Sequence, residues 1–359
     1  MPVNVLIVDD SAVVRKVLSE ILNTDKEITV YDTAQDPIFA ERKMNSKWPD
    51  VIVLDVEMPR MDGITFLKKI MSTRPTPVVI CSSVTEKGAQ KTLEALSAGA
   101  VTVIEKPKLG LKGFLTESAE MLIDAVKGAS KAQLKTKLNI QRDEEQTTVI
   151  EKRVPKVSVA SGPSSKVFLK DPLIVIGAST GGTQAIEYIL RRMPENCPPI
   201  LIVQHMPEHF TKAFADRLNI FCAIEVKEAE NHDQIKAGRA LIAPGDFQMY
   251  WGGTNSTMRV RVEKAERVNR HRPSVDALFL SIPPNIAQNV IAVLLTGMGN
   301  DGALGLTELK KAGSFTIAQN EESCVVYGMP MEAVKMGGAT EILHLYDIPD
   351  TVIRISGKK

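Results

Sequence analysis

Three polar residues in the second half of the chain have the types that an acyl-transfer site needs. Ser179 lies in Gly177-Ala178-Ser179-Thr180-Gly181-Gly182, after the apolar run Leu173–Ile176 and before a helical stretch that starts at Thr183. A strand that turns sharply into a helix between small residues exposes a hydroxyl at the turn, and Gly-x-Ser-x-Gly spells a nucleophile elbow. Alone the spelling is weak, because glycine-rich strand-to-helix turns also bind phosphates. A serine nucleophile needs a base, and the base needs an orienting partner. Of the five histidines, His205 follows the next apolar run, Ile200–Val203, while His209 falls in the helix after it, His232 and His271 in polar segments, and His344 near the end of the domain. Position therefore selects His205. An acid is available in Thr296-Gly297-Met298-Gly299-Asn300-Asp301-Gly302, after the run Ile291–Leu295. Singly, a strand-end histidine is usually structural and an Asp before Gly is usually a turn residue. Together Ser179, His205 and Asp301 fill three roles at one edge of one sheet.

The first third carries a second constellation. Asp9 and Asp10 follow the run Val3–Val8, and Asp55 follows Val51–Leu54. Converging carboxylates with open positions suit Mg²⁺, which keeps several waters and accepts a phosphate oxygen, and a carboxylate can itself accept a phosphoryl group. Ser82 offers a hydroxyl after Val78–Cys81, and Lys106 a cation after Val101–Ile104; Pro107 beside it is a candidate for a cis bond that aims the lysine. Any one of these residues reads as a loop or cap residue. Five of them on four strand ends do not.

The elements that must position these groups alternate in period. In residues 1–126, β-branched runs (Val3–Val8, Ile28–Tyr31, Val51–Leu54, Val78–Cys81, Val101–Ile104) alternate with stretches of helical spacing (Ala12–Leu22, Pro37–Met44, Gly63–Met71, Gln90–Ala98, Phe114–Val126). Five such units predict an α/β domain, an open five-stranded parallel sheet covered on both faces, with ligands at the carboxyl ends of its strands. Residues 127–167 are predicted to be a linker, since Lys131–Lys166 holds no aromatic residue and too little apolar surface to fold alone. Residues 168–352 start a second strand–helix series. Strands are expected at Leu173–Ile176, Ile200–Val203, Ile224–Val226, Ala240–Ala243, Met258–Val262, Ile291–Leu295 and Phe315–Ala318, and helices at Thr183–Arg191, His209–Leu218, Val275–Ile282 and Ala303–Lys311.

Bulk composition excludes several classes. The chain has 359 residues and a net charge of +1, so nothing draws it generally to nucleic acid. No apolar stretch is long enough to span a bilayer, so no membrane insertion is expected. Four cysteines without zinc-ligand spacing fit a reduced, cytoplasmic compartment. Asn255-Ser256-Thr257 matches a glycosylation sequon, which without a secretion signal is chance. A dinucleotide-binding oxidoreductase is a poor match, because the turn Ile176-Gly177-Ala178-Ser179-Thr180-Gly181-Gly182 lacks a well-placed Gly-x-Gly-x-x-Gly and Tyr188 is followed four residues later by Arg192 rather than lysine.

Two resemblances join these readings. Val-Asp-Asp, Leu-Asp-Val-Glu-Met-Pro-Arg-Met-Asp-Gly, Cys-Ser-Ser and Glu-Lys-Pro resemble the response-regulator receiver family, with its flavodoxin-like fold. The resemblance implies that Asp55 takes a phosphoryl group from a chemotaxis histidine kinase. It also implies that Asp9, Asp10, Asp55 and the backbone carbonyl of Glu57 hold Mg²⁺, and that Ser82 and Lys106 sense the phosphate. Val103 stands where many receivers carry an aromatic switch residue. Gly-Ala-Ser-Thr-Gly-Gly, Gln-His-Met-Pro, His-Arg-Pro-Ser-Val-Asp and Thr-Gly-Met-Gly-Asn-Asp-Gly are similar to the doubly wound α/β catalytic domain of the chemotaxis protein-glutamate methylesterases. That resemblance implies hydrolysis of glutamate γ-methyl esters, and deamidation of glutamines, on methyl-accepting chemotaxis receptors without a cofactor for the hydrolysis. It implies Ser179 as nucleophile, His205 as base and Asp301 as orienting acid, an oxyanion donor at Met298, and substrate contacts at Thr180 and Arg272. The alternatives are an esterase or deamidase of a non-flagellar chemosensory system and a non-enzymatic response regulator.

Overall fold

The computed structural model describes residues 2–58, 61–83, 85–106, 112–134, 172–253 and 258–357. Pro107, the sequon and most of the expected linker lie outside them.

The N-terminal domain alternates β1 (Val3–Val8), α1 (Ala12–Leu22), β2 (Ile28–Ala34), α2 (Pro37–Ser46), β3 (Val51–Leu54), α3 (Gly63–Thr73), β4 (Val78–Ser82), α4 (Glu86–Ser97), β5 (Thr102–Glu105) and α5 (Lys112–Ser130). The strands form one sheet in the order β2-β1-β3-β4-β5, and all their pairings are parallel. Burial on both faces explains why the strands read as continuous Val/Ile/Leu runs rather than alternating ones. Helices α1 to α4 each start where a short polar side chain accepts a hydrogen bond from the first turn: Ser11 from Val14, Asp36 from Phe39, Asp62 from Thr65 and Thr85 from Gly88. Helix α5 runs on past residue 126 to Ser130.

The C-terminal domain is built on a seven-stranded sheet in the order β14-β13-β12-β6-β7-β9-β8, parallel throughout. Its strands are β6 (Leu173–Ala178), β7 (Ile200–Gln204), β8 (Glu225–Glu228), β9 (Arg239–Ile242), β12 (Val290–Leu294), β13 (Phe315–Gln319) and β14 (Glu341–Leu343). An antiparallel pair, β10 (Gln248–Trp251) and β11 (Val260–Glu263), stands apart from it. The helices are α6 (Gly182–Leu190), α7 (Phe210–Phe221), α8 (Val275–Leu280), α9 (Pro284–Ala287), α10 (Ala303–Lys311), α11 (Met329–Lys335) and α12 (Ile348–Ile355).

The chain leaves β6 toward β7 on one side and returns through β12 on the other. The connection therefore reverses direction between β6 and β12, and a crevice opens at the carboxyl ends of the strands at such a switch point. Short β10, β14, α9, α11 and α12 were not expected from the sequence. The β14 segment has only three residues, and Ile342 at its centre is half exposed, so it shows neither the length nor the apolar run of a buried strand.

Candidate active site

Ser179 is the first residue after β6, and His205 the first after β7. The register pairs Ala178 with Gln204, so Ser179 and His205 take the next position on adjacent strands. Adjacent strands run about 4.8 Å apart. The backbone locks this relation: the His205 N–H donates to the Ala178 carbonyl at 3.1 Å, and the Gln204 amide donates to the carbonyls of Ser179 at 2.9 Å and His205 at 3.1 Å. On the other side, the Ser179 N–H donates to the Thr296 carbonyl at 3.0 Å. Gly297 is pressed against Ser179: a Cβ there would lie 2.7 Å from the serine Cβ and collide with the Met329 sulfur. Only glycine lets the loop after β12 approach the hydroxyl this closely.

The His205 ring is buried, with Nε2 2.8 Å from Asp301 Oδ2. Its Nδ1 is buried and has no hydrogen-bond partner. One nitrogen is thus held by an acid and the other is unspent, on the strand adjacent to that of Ser179. Asp301 is 1% exposed, and burial alone would raise its pKa. The His205 ring, the Asn269 amide at 2.7 Å and the Val275 N–H at 2.7 Å overwhelm that effect and hold the carboxyl well below the usual range. The Ser274 hydroxyl adds a further bond at 2.8 Å. Asp301 is therefore a fixed anion in front of the imidazole.

The sequence reading missed two groups here. His271 lies flat on His205, with ring centroids 3.7 Å apart and planes inclined by 12°. Desolvation, and then the charge of His205, push its pKa down to about 3, so the stacked ring stays neutral. Asn269 bridges Asp301 and Asp276. Asn269 and Arg270 both take left-handed backbone angles, φ 51° and 68°, which are sparsely populated for residues other than glycine. The only sequence signal was the polar segment itself, His271-Arg272-Pro273-Ser274-Val275-Asp276.

The acidic site forms at the matching rim of the N-terminal sheet. Asp9, Asp10 and Asp55 bring one oxygen each within 4.8 Å of one another. Lys106 Nζ lies 2.7 Å from Asp55 Oδ2 and 2.8 Å from Asp9 Oδ2. The Asp9 oxygen is buried and, despite that ion pair, has no aligned hydrogen bond. Burial pushes the Asp55 pKa up to about 6, against the pull of Lys106 and the Glu57 N–H. An oxygen-only set of three carboxylates facing a single lysine fits a hard divalent cation. Ser82 ends β4, and its carbonyl accepts from the Lys106 N–H at 2.9 Å, so the two stand side by side. The Glu57 side chain turns away to Lys91. Val103 is buried within β5.

Residues 174–352 match the family described as CheB methylesterase, and residues 5–110 the response regulator receiver domain. A Photobacterium profundum protein named protein-glutamate methylesterase/protein-glutamine glutaminase 1 is 51% identical over 98% of this chain and 100% of its own length. A Leptospira interrogans (serovar copenhageni) protein named protein-glutamate methylesterase/protein-glutamine glutaminase 3 is 52% identical over 96% of this chain and 98% of its own. The chain belongs to the CheB methylesterase family. The crystal structure of the Thermotoga maritima CheB methylesterase catalytic domain is 39% identical, covers 51% of this chain and 97% of that one, and superposes with a TM-score of 0.49.

In this CheB-family chain, helix α5 of the receiver lies across the esterase site. Its residues Met121, Asp124 and Gly128 share one face by their spacing of three and four. Met121 Sδ lies 3.8 Å from Arg267, Asp124 pairs with Arg270 at 3.5 Å, and a Cβ on Gly128 would lie 3.0 Å from Met298 Sδ and 3.6 Å from Thr180 Oγ1. Buried Leu122, Val126 and Ala129 belong to the same apolar cluster as Val325 and Val326. At a second contact the Gln184 amide of α6 donates to the Leu96 carbonyl of α4 at 2.5 Å.

Thr180 and Met298 thus flank Ser179 beneath α5. Among the described residues no acceptor takes the backbone N–H of either. Arg272 is engaged elsewhere, by Asp246 at 2.5 Å and the Ala265 carbonyl at 2.8 Å. All four cysteines are free, and no helix among the described residues is long and apolar enough to cross a membrane.

Proposed function

We propose that this chain hydrolyses glutamate γ-methyl esters, and deamidates glutamines, on methyl-accepting chemotaxis receptors, and that phosphorylation of Asp55 controls the rate. The observation that carries the reading is the buried imidazole of His205, anchored to Asp301 at one nitrogen and unpaired at the other, one strand register from Ser179.

His205 Nδ1 takes the proton from Ser179 Oγ, which attacks the ester carbonyl carbon. Asp301 keeps the ring in the tautomer that leaves Nδ1 free to accept, and balances the imidazolium that forms. Negative charge moves to the carbonyl oxygen, where the N–H groups of Met298 and Thr180 can receive it. Losing one such donor typically costs about 10²–10³ in rate. The tetrahedral centre collapses, the C–O bond to the methoxy group breaks, and methanol leaves with the proton from His205. Water activated by the same nitrogen then cleaves the acyl-enzyme and releases glutamate. An amide follows the same route with ammonia as leaving group. Arg272 would contact a substrate only by giving up Asp246 and the Ala265 carbonyl.

In the receiver, Asp9, Asp10, Asp55 and the Glu57 carbonyl are the groups that would hold Mg²⁺, which when bound neutralises charge on a phosphoryl group. Ser82 and Lys106 stand where they would contact that group. A chemotaxis histidine kinase in the cytoplasm is the phosphodonor in this reading. The division into a receiver (1–126), a linker (127–167) and a catalytic domain (168–352) belongs to the same proposal, with α5 carrying the first linker positions into the receiver's last helix. The resting receiver lays α5 over Ser179, and phosphorylation shifts the balance only through contacts that differ between the covered and open states.

Methanol release from methylated receptor membranes, with Ser179→Ala as control, tests the activity. Release from the wild type and none from the variant is expected. No release from the wild type overturns the substrate. A wild-type rate unchanged by phosphodonor, and equal to that of Asp55→Asn, overturns the control.

A further inference from the structure

Arg270 precedes the histidine that stacks on His205, and its guanidinium is largely exposed, with Asp124 of α5 beside it at 3.5 Å. Arg267 Nη1 donates to the Arg270 carbonyl at 3.3 Å, which ties the two arginines into one rim. Both charges are close enough to His271 to help lower its pKa. The left-handed backbone at Asn269 and Arg270 is imposed by the surrounding structure, and such strain collects where a site needs a fixed direction. The rim is cationic and adjoins the histidine that stacks on His205, and the receiver meets it with an acid.

We infer that Arg267 and Arg270 form a docking edge for carboxylate side chains that flank the scissile ester, and that Asp124 of α5 occupies this edge in the resting chain. The inference rests on the ester-hydrolase reading and names the substrate class of that site: an acidic polypeptide surface. The chemistry is consistent, because each turnover replaces a neutral ester by a glutamate and so adds an anion to the substrate. An exposed pair such as Arg270–Asp124 is weak, which lets a substrate carboxylate displace it.

Two peptides with the same glutamyl methyl ester, flanked by glutamates in one and glutamines in the other, test this with the full chain under Mg²⁺ and acetyl phosphate. The wild type is expected to show a lower KM for the glutamate-flanked peptide, by about 2–10-fold for two exposed ion pairs, with similar kcat. In Arg267→Gln/Arg270→Gln the KM ratio should fall toward one, and added salt should erase the wild-type ratio. A ratio that the double substitution leaves unchanged overturns the inference, even if loosening α5 raises both rates. Fluorescence anisotropy of a labelled, ester-free glutamate-rich peptide supplies a readout that needs no hydrolysis. Binding lost in the double variant supports the docking edge even if the wild type cleaves neither ester, and equal binding to both proteins sinks it.

Discussion

His271 acts through the plane of its ring. Stacked at 3.7 Å, it confines the His205 imidazole to the orientation in which Nε2 meets Asp301. Ring pairs of this kind contribute about 0.5–1.5 kcal/mol beyond their buried area, so His271→Ala should lower kcat about 3–10-fold, while His271→Phe restores the stack and most of the rate. The two substitutions separate packing from proton exchange. The pKa of His271 is about 3 when folded, against about 6.5 when unfolded, so the unfolded chain binds the extra proton between those values. Its contribution to stability is therefore complete above about pH 6.5 and is lost as pH falls toward 3. Denaturant titrations should show a shallower loss over that window for His271→Phe than for the wild type. At the other rim, Asp55 pays for ionising in a buried site that already holds Asp9. Asp55→Asn should raise stability in Mg²⁺-free buffer at neutral pH by on the order of 1–3 kcal/mol, read from the denaturant midpoint, while abolishing phosphorylation. Ser179, His205, Asp301 and the three carboxylates were legible because each follows a strand with a strong apolar signature. His271 and Asn269 were not, because they sit in an irregular segment whose direction depends on two left-handed residues and on partners about 30 to 65 positions away in the chain.

At the scale of elements, α5 is both the last helix of one domain and the cover of the other. A glycine inside a helix costs roughly 0.5–1 kcal/mol relative to alanine, and Gly128 is placed where α5 comes nearest to Met298. That close approach explains the glycine. Gly128→Val should push α5 off the site and raise the unphosphorylated esterase rate several-fold, without changing the rate reached under phosphodonor. A Gln184→Ala change, which removes the bond to the Leu96 carbonyl, should act in the same direction and more weakly. The periodicity of both sheets was readable from apolar, mostly β-branched runs of three to six residues. Strand order was not, because period two and period 3.6 record which face a residue presents and not which strand lies beside it. The edge strand β14 and the late helices α11 and α12 escaped for a simpler reason. They are short, and Pro330 and Pro349 interrupt the helical pattern at its start, where proline is tolerated but reads as a breaker.

At the scale of the whole molecule, the apolar cores of the two domains are continuous. Leu93 and Leu96 of α4 belong to the same cluster as Phe214 of α7, and Val326 joins the cluster under α5. Sequence could suggest two domains and a polar connector, but not that two receiver helices would bury surface against the second domain, since α4 and α5 carry the amphipathic pattern of any sheet-covering helix. The receiver is attached to the surface it covers, and this has a consequence for how strong the cover must be. A partner on the same chain meets its surface at an effective concentration that does not fall on dilution, so an interface that would be negligible between separate molecules at assay concentrations can still close the site. Modest phosphorylation energies then suffice to open it. Cutting the chain between residues 135 and 171 turns that first-order latch into a second-order one. The esterase rate of the cleaved protein should climb on dilution, whereas the specific rate of the intact chain should be independent of concentration.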